Sequence, residues 1–195
     1  MTSSSLLVFG GPYSNLAATQ AMLEVVQELG VPARQVICTG DVVAYGAQAE
    51  QTCRLIQQSG IRVVMGNCEE SLAADSSDCG CGFEPGMLCS VLAEDWYDYA
   101  RRQISAATRH WMAQLPREIR FEFAGLRFSV IHGGVDRINR FLFRSSPQQE
   151  FQQQLQLADC DVVIGGHCGL PFGLALEQGC WLNAGVIGLP ANDAS

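Results

Sequence analysis

Apolar residues in this chain fall in short dense runs separated by longer amphipathic stretches. Residues 6–10, Leu-Leu-Val-Phe-Gly, contain no polar side chain and read as a buried strand. Ser14 or Asn15 can cap the helix that follows. In it Leu16, Leu23, Val26 and Leu29 fall near one face, and Gly30 stops it. Residues 35–40 (Gln-Val-Ile-Cys-Thr-Gly) make a second strand. A second helix over roughly 47–59 ends at Gly60, and residues 61–66 make a third strand.

The rhythm breaks over 68–90, a stretch rich in Gly, Ser and Cys that reads as an irregular insertion. A helix is predicted from about 91 to 114, with Pro116 beyond its end. Residues 117–134 read as two strands joined at Ala124–Gly125, with Phe121 and Phe123 alternating on one face. A glutamine-rich helix over about 147–157 is expected to face solvent. Another buried strand follows at 161–166, and then a hairpin-like pair around residues 174–185. Strands alternating with helices predict an α/β fold with parallel neighbours.

The length of 195 residues, 48% of them hydrophobic, suffices for one sizeable core, and one domain is the simplest organisation. The net charge is −8 and the chain has no lysine, so all twelve basic residues are arginine. An acidic protein without a basic run is a poor ligand for a nucleic acid backbone. No apolar run reaches the roughly 20 residues a membrane span needs, and no basic residue precedes the first apolar run as in a signal peptide. A cytoplasmic protein is expected. Nine cysteines, an odd number, are then expected to be reduced thiols, with Cys38 and Cys53 as small core residues.

Four strands end at a glycine-bearing corner followed or preceded by a side chain able to bind metal: Asp41, Asn67, His132 and His167. Ligand sites of open α/β sheets form where the carboxyl ends of strands meet. One carboxylate, one amide oxygen and two imidazoles suit a transition metal such as Mn, Fe or Zn. Taken singly, each has an ordinary reading: a turn or cap for Asp41 and Asn67, a hydrogen-bonded structural role for either histidine. Together they use two of only three histidines. The third, His110, lies mid-helix beside Trp111 and reads as a packing or surface residue.

The stretches Gly-Asp-Val-Val-Ala-Tyr-Gly (40–46), Val-Val-Met-Gly-Asn (63–67), Val-Ile-His-Gly-Gly (130–134), Asp-Val-Val-Ile-Gly-Gly-His (161–167) and Trp-Leu-Asn-Ala-Gly-Val-Ile-Gly-Leu-Pro (181–190) resemble the successive motifs of the calcineurin-like metallophosphoesterase superfamily. The nearest branch is that of small bacterial phosphodiesterases and diadenosine-tetraphosphatase-like proteins. The resemblance covers most of the chain. It implies a four-layer α-β-β-α sandwich, with the last C-terminal strands expected to be missing from a chain that is either a fragment or a trimmed version, and a two-metal site that activates water for in-line attack on a phosphate ester. It also exposes three departures. The family's opening aspartate and histidine fall on Gly11 and Tyr13, and a closing histidine falls on Gly169. These are the ligands of one particular metal. The set implied for the other metal, Asp41, Asn67, His132 and His167, is complete, so a single divalent cation (Mn, Fe or Zn) is expected.

Further residues are assigned around that site. Cys68 stands where the family usually has a histidine that assists the leaving group, and Cys168 adjoins His167. Arg137 and Arg140 are candidates for phosphate contact, since guanidinium forks match phosphate oxygens; Arg144 reads as surface. Tyr13 either donates a hydrogen bond to substrate or fills the vacated pocket. Cys79, Cys81 and Cys89 form a weaker candidate site for a second, cysteine-bound zinc. The expected activity is hydrolysis of a small, nucleotide-like phosphate mono- or diester. The alternatives are a non-catalytic scaffold of the same fold and a metal- or redox-sensing protein.

Overall fold

The structure, a computed structural model, describes residues 5–82 and 88–190, except for the side chains of 88–92. In chain order the elements are β1 (Leu7–Phe9), α1 (Leu16–Glu28), β2 (Val36–Cys38), α2 (Ala49–Ser59), β3 (Arg62–Val63), α3 (Asn67–Ala73), α4 (Leu88–Gln103), α5 (Ala106–Ala113), β4 (Glu118–Phe123), β5 (Leu126–Ile131), α6 (Gln148–Ala158), β6 (Val162–Gly165), β7 (Pro171–Leu176) and β8 (Gly179–Ala184). They form two sheets. The first is parallel, in the order β1-β2-β3; the second is mixed, in the order β4-β5-β6-β8-β7.

Ile37 and Val64 of the first sheet pack against Ile119, Val130, Val162 and Ile164 of the second, which makes the inter-sheet core. The outer face of the first sheet is covered through Val36, Cys38, Cys53, Ile56, Leu72 and Met112 by helices α1 to α5. The outer face of the second carries α6, with Phe151 and Leu155 against Trp181. This is the expected four-layer α-β-β-α sandwich.

Local chemistry explains most boundaries. Asn15 caps α1 by accepting from the Ala18 N–H at 3.0 Å, and Gly60 closes α2 in the left-handed region. Ala124 and Gly125 both take positive φ, 50° and 80°, as a two-residue hairpin turn demands.

Four expectations are corrected. Residues 67–73 are helical rather than irregular, because Leu72 buries its side chain and Glu69 caps the helix start at the Gly66 N–H, 3.0 Å away. The single helix predicted over 91–114 is two. Ser105 breaks it, since its hydroxyl accepts from the Thr108 N–H while its own N–H is drawn to Glu50. Of the expected face of α1, Val26 is buried and Leu16 and Leu23 are half-buried, but Leu29 is 64% exposed, and Thr19 is buried in addition. Helix α6 does not simply face water. Phe151 is fully buried, and so is Gln154, whose amide accepts from the Val135 N–H and donates to Asp136. Of the rest of the expected insertion, 74–82 are irregular, 83–87 lie outside the described residues, and 88–90 already belong to α4.

Candidate metal centre

The four side chains singled out as metal ligands come from four different strand ends and meet in one place. His132 follows β5, and its Nε2 lies 3.0 Å from Asn67 Oδ1, 3.0 Å from His167 Nδ1 and 3.3 Å from Asp41 Oδ2. All four residues are buried. His132 Nδ1 lies 2.7 Å from the Thr39 carbonyl and donates to it, which leaves the lone pair of Nε2 facing the cluster. Asn67 Nδ2 donates to the Cys79 carbonyl at 2.9 Å, so its oxygen is the atom turned inward.

The site therefore points acceptor atoms at one another, an arrangement that repels unless a proton or cation lies between them. Burial opposes the charge on both Asp41 and His132. Their mutual attraction overcomes it, so Asp41 titrates below and His132 above the usual range. Burial first, and the His132 charge second, push His167 down to about 4, which keeps it a neutral ligand. The donor set fits a divalent cation: ionised carboxylate, amide oxygen and two imidazole nitrogens.

A buried carboxylate that the sequence reading passed over organises the ligands. Glu69 is fully buried and accepts the N–H groups of Asp41 at 2.8 Å, Gly66 at 3.0 Å and Val43 at 3.1 Å. It thereby ties the loop after β2 to the loop after β3. Burial, then the charge of Asp41, push its pKa up to about 7. The signal was available in Asn67-Cys68-Glu69-Glu70, an acid in the first turn of a helix right after a ligand. Asp41 itself sits at φ 52°, an uncommon conformation for a residue with a side chain and one that its neighbours must enforce. Gly66 permits the approach, since a Cβ there would fall on the backbone nitrogen and Oδ1 of Asp41.

The region where the family resemblance implied a second metal is packed. Tyr13 is 8% exposed and at φ 51°; its N–H donates to the Asp41 carbonyl at 3.1 Å. Burial, then the Asp41 charge, hold its phenol far above the usual range. A Cβ at Gly11 would meet Val186 Cγ1 at 2.6 Å and the Tyr13 ring at 2.8 Å. A Cβ at Gly169 would lie 3.5 Å from Val186 Cγ1 and 3.7 Å from the Tyr13 hydroxyl. Val186 is carried there by the segment after β8, whose Gly188 N–H bonds the Gly11 carbonyl at 2.9 Å. The Tyr13 ring meets Tyr45 edge to face at 5.0 Å.

The sequence matches the calcineurin-like phosphoesterase superfamily domain over residues 12–195. The chain belongs to that superfamily. It is similar to an uncharacterized protein of Methanocaldococcus jannaschii, 33% identical over 190 residues that make up 96% of this chain and 71% of the relative. Among solved structures, a hypothetical protein from Pyrococcus horikoshii matches with a TM-score of 0.76 at 13% identity, over 95% of this chain and 77% of the other. A metallophosphoesterase from Sphaerobacter thermophilus matches with a TM-score of 0.68 at 16% identity, over 96% and 78%. These two likenesses support the fold.

The remaining assigned residues are placed unevenly around this superfamily site. Cys68 is 1% exposed and packed beneath the ligands: its N–H bonds Asp41 Oδ1 at 3.4 Å, and its sulfur lies 3.5 Å from Asn67 Nδ2. Burial, then Asp41, hold its thiol protonated. It is sealed from solvent. Arg140 is committed to Asp136 at 2.6 Å and Glu150 at 3.6 Å. Arg137 is exposed, and its charge acts on His167. It shares with His132 a cleft of about 130 Å³. Phe141 covers His167 with ring centres 4.2 Å apart. His110 lies on α5 within 3.0 Å of Gln114 Nε2.

The cysteine-bound zinc fares differently. Cys79 and Cys81 are joined in a disulfide, so their sulfurs are not thiolates, and the expectation of reduced cysteines throughout is corrected there. The side chain of Cys89 lies outside the described residues. Cys38 and Cys53 are buried core thiols as expected. Among the described residues no helix is long and apolar enough to cross a membrane.

Proposed function

We propose that the protein is a metal-dependent phosphoesterase that holds one divalent cation and hydrolyses a small, nucleotide-like phosphate mono- or diester. The observation that carries this reading is the convergence of Asp41, Asn67 and His167 on His132 Nε2. A cation bound there would polarise a phosphoryl oxygen and bring the pKa of a water toward neutrality.

The chain's own residues do the rest. Thr39 fixes the His132 tautomer, and the Cys79 carbonyl fixes the Asn67 amide. Glu69 holds the Asp41 and Gly66 backbones at a set separation. Arg137 is the cation free to meet a phosphate oxygen at the mouth; Arg140, already paired twice, instead stiffens the loop after His132. Among the described residues no charged side chain stands in for the second positive centre, since Tyr13 and Val186 occupy that volume.

That apolar filling favours a second reading, a scaffold that keeps the cation for structure. Hydrolysis of bis-p-nitrophenyl phosphate with Mn, Fe, Zn and Co separates the two. The enzyme reading expects turnover with at least one metal, abolished in His132→Ala and His167→Ala. A filled site without turnover for any metal rejects it in favour of the scaffold.

A further inference from the structure

The Cys79-Gly80-Cys81 loop touches two of the four ligands. Its Cys79 carbonyl accepts from Asn67 Nδ2 at 2.9 Å, and Cys81 Sγ lies 3.5 Å from the same nitrogen. The Cys81 backbone approaches the buried His167 ring closely enough to favour its protonated form. The loop is also tied to the segment that follows His132, because Asn139 Nδ2 donates to the Gly80 carbonyl at 2.8 Å. Both cysteines are 6% exposed as residues.

We infer that Cys79 and Cys81 form a redox modification site whose disulfide state sets the cation affinity of the quartet. The inference rests on the reading of that quartet as a metal site. The physical link is the Asn67 amide. A cation needs its oxygen, and nothing in the amide's shape distinguishes oxygen from nitrogen except the partner of Nδ2. The shortest contact of Nδ2 is the Cys79 carbonyl, held in place by the ring that the disulfide closes, with the Cys68 and Cys81 sulfurs farther off at 3.5 Å. Opening the ring frees Gly80, at φ 64°, to take other conformations. The Asn67 amide can then turn its N–H₂ inward, where it repels a cation.

The chemical step balances with a dithiol as reductant. Its thiolate attacks one sulfur of the pair, giving a mixed disulfide and releasing the other cysteine. The second thiol of the reagent then displaces the mixed disulfide. Two electrons and two protons end on Cys79 and Cys81, and the reagent leaves as its own cyclic disulfide.

The test is a titration of Mn(II), read from the electron paramagnetic resonance of the free ion. Mn is chosen because it favours oxygen and imidazole over thiol. Oxidised and dithiothreitol-reduced protein are compared, and alkylation with mass measurement reports the state of the pair. Reduction is expected to weaken binding about 10-fold or more, the scale set by loss of a second-sphere partner. Cys81→Ser and Cys79→Ser are expected to bind as the reduced protein does, with or without dithiol. Equal affinity in the two wild-type states overturns the switch and leaves the metal site standing. Absence of binding in both states overturns both. A dithiol response that persists in the serine variants, or failure of the pair to oxidise, also overturns the switch. If a variant does not fold, the wild-type comparison still decides.

Discussion

Asp41 belongs to two half-sites with opposite interiors. Its carboxylate meets His132, within a cluster completed by Asn67 and His167; its backbone carbonyl meets Tyr13, within a cluster completed by Gly11, Gly169 and Val186. The first half is all lone pairs, three of its four residues held by a partner behind them: Thr39 behind His132, the Cys79 carbonyl behind Asn67, Glu69 behind Asp41. The second half is a phenol ring and a valine methyl in van der Waals contact. The space of the second half is filled with apolar surface, and the edge-to-face pair of Tyr13 with Tyr45 adds about 1 kcal/mol beyond simple burial. The polar half is held by groups that orient it, and the apolar half is packed as core.

The comparison breaks most sharply at His132, the nitrogen on which the other three ligands converge. His132→Ala is expected to lower metal-dependent phosphodiester hydrolysis about 1000-fold, or about 4 kcal/mol in the barrier. Steady-state rates at saturating Mn(II) check it, and a loss under tenfold would mean that the polar half is not where the chemistry occurs. Glu69 comes next. Glu69→Gln puts an N–H₂ group against backbone N–H donors in a sealed site, which is expected to cost about 3 kcal/mol of stability. Urea unfolding measures it. A loss below about 1 kcal/mol would show that the two ligand loops keep their spacing without this carboxylate.

Much of the polar half was legible because its residues sit at strand ends marked by glycine. Asp41, Asn67, His132 and His167 could be placed before any contact was known. Gly11, Tyr13 and Gly169 could be read as losses only against the family pattern, and what filled the space could not. Val186 is ordinary in sequence; its role comes from the hydrogen bond of Gly188 to Gly11, more than 170 residues apart. Glu69 and Gln154 were missed for a related reason. Glu69 lies in a stretch that reads as irregular and Gln154 on a helix that reads as solvent-facing, and each is buried because distant backbone N–H groups need an acceptor. The break at Ser105 depends likewise on Glu50, 55 positions away. Local patterns announce strands, caps and turns, while long-range polar pairing is decided by the packed fold.

Restoring the lost carboxylate tests whether the apolar half is truly closed. Gly11→Asp places a Cβ against Val186 and the Tyr13 ring at a position with φ 29°. Overpacking of this kind costs about 1–3 kcal/mol. The variant is expected to lose that much stability and still bind a single Mn(II), as stoichiometric titration would show. A second equivalent bound by Gly11→Asp alone would mean that the ring and the methyl move aside easily and that the refilled half is a latent site.

The smallest effect separates two arginines only three residues apart. Arg137 is exposed beside the site, and Arg137→Ala is expected to raise KM for a phosphodiester about fivefold, roughly 1 kcal/mol of charge-assisted hydrogen bonding, with kcat changed less. Arg140 already spends its guanidinium on Asp136 and Glu150. Arg140→Ala should leave KM within about twofold and cost no more than about 1 kcal/mol of stability, given partial exposure. Its cost should also depend on pH. The Arg140 guanidinium holds the Asp136 carboxyl below its usual range. A depressed acid stabilises the fold above its ordinary pKa and loses that contribution as pH falls. The stability gap between wild type and Arg140→Ala is therefore expected to be full at pH 7 and to close below about pH 4. If KM responded to Arg140 and not to Arg137, the phosphate would have to approach from the Asp136 side of the His132 loop. The polar half would then open in a different direction from the one its exposed cation marks.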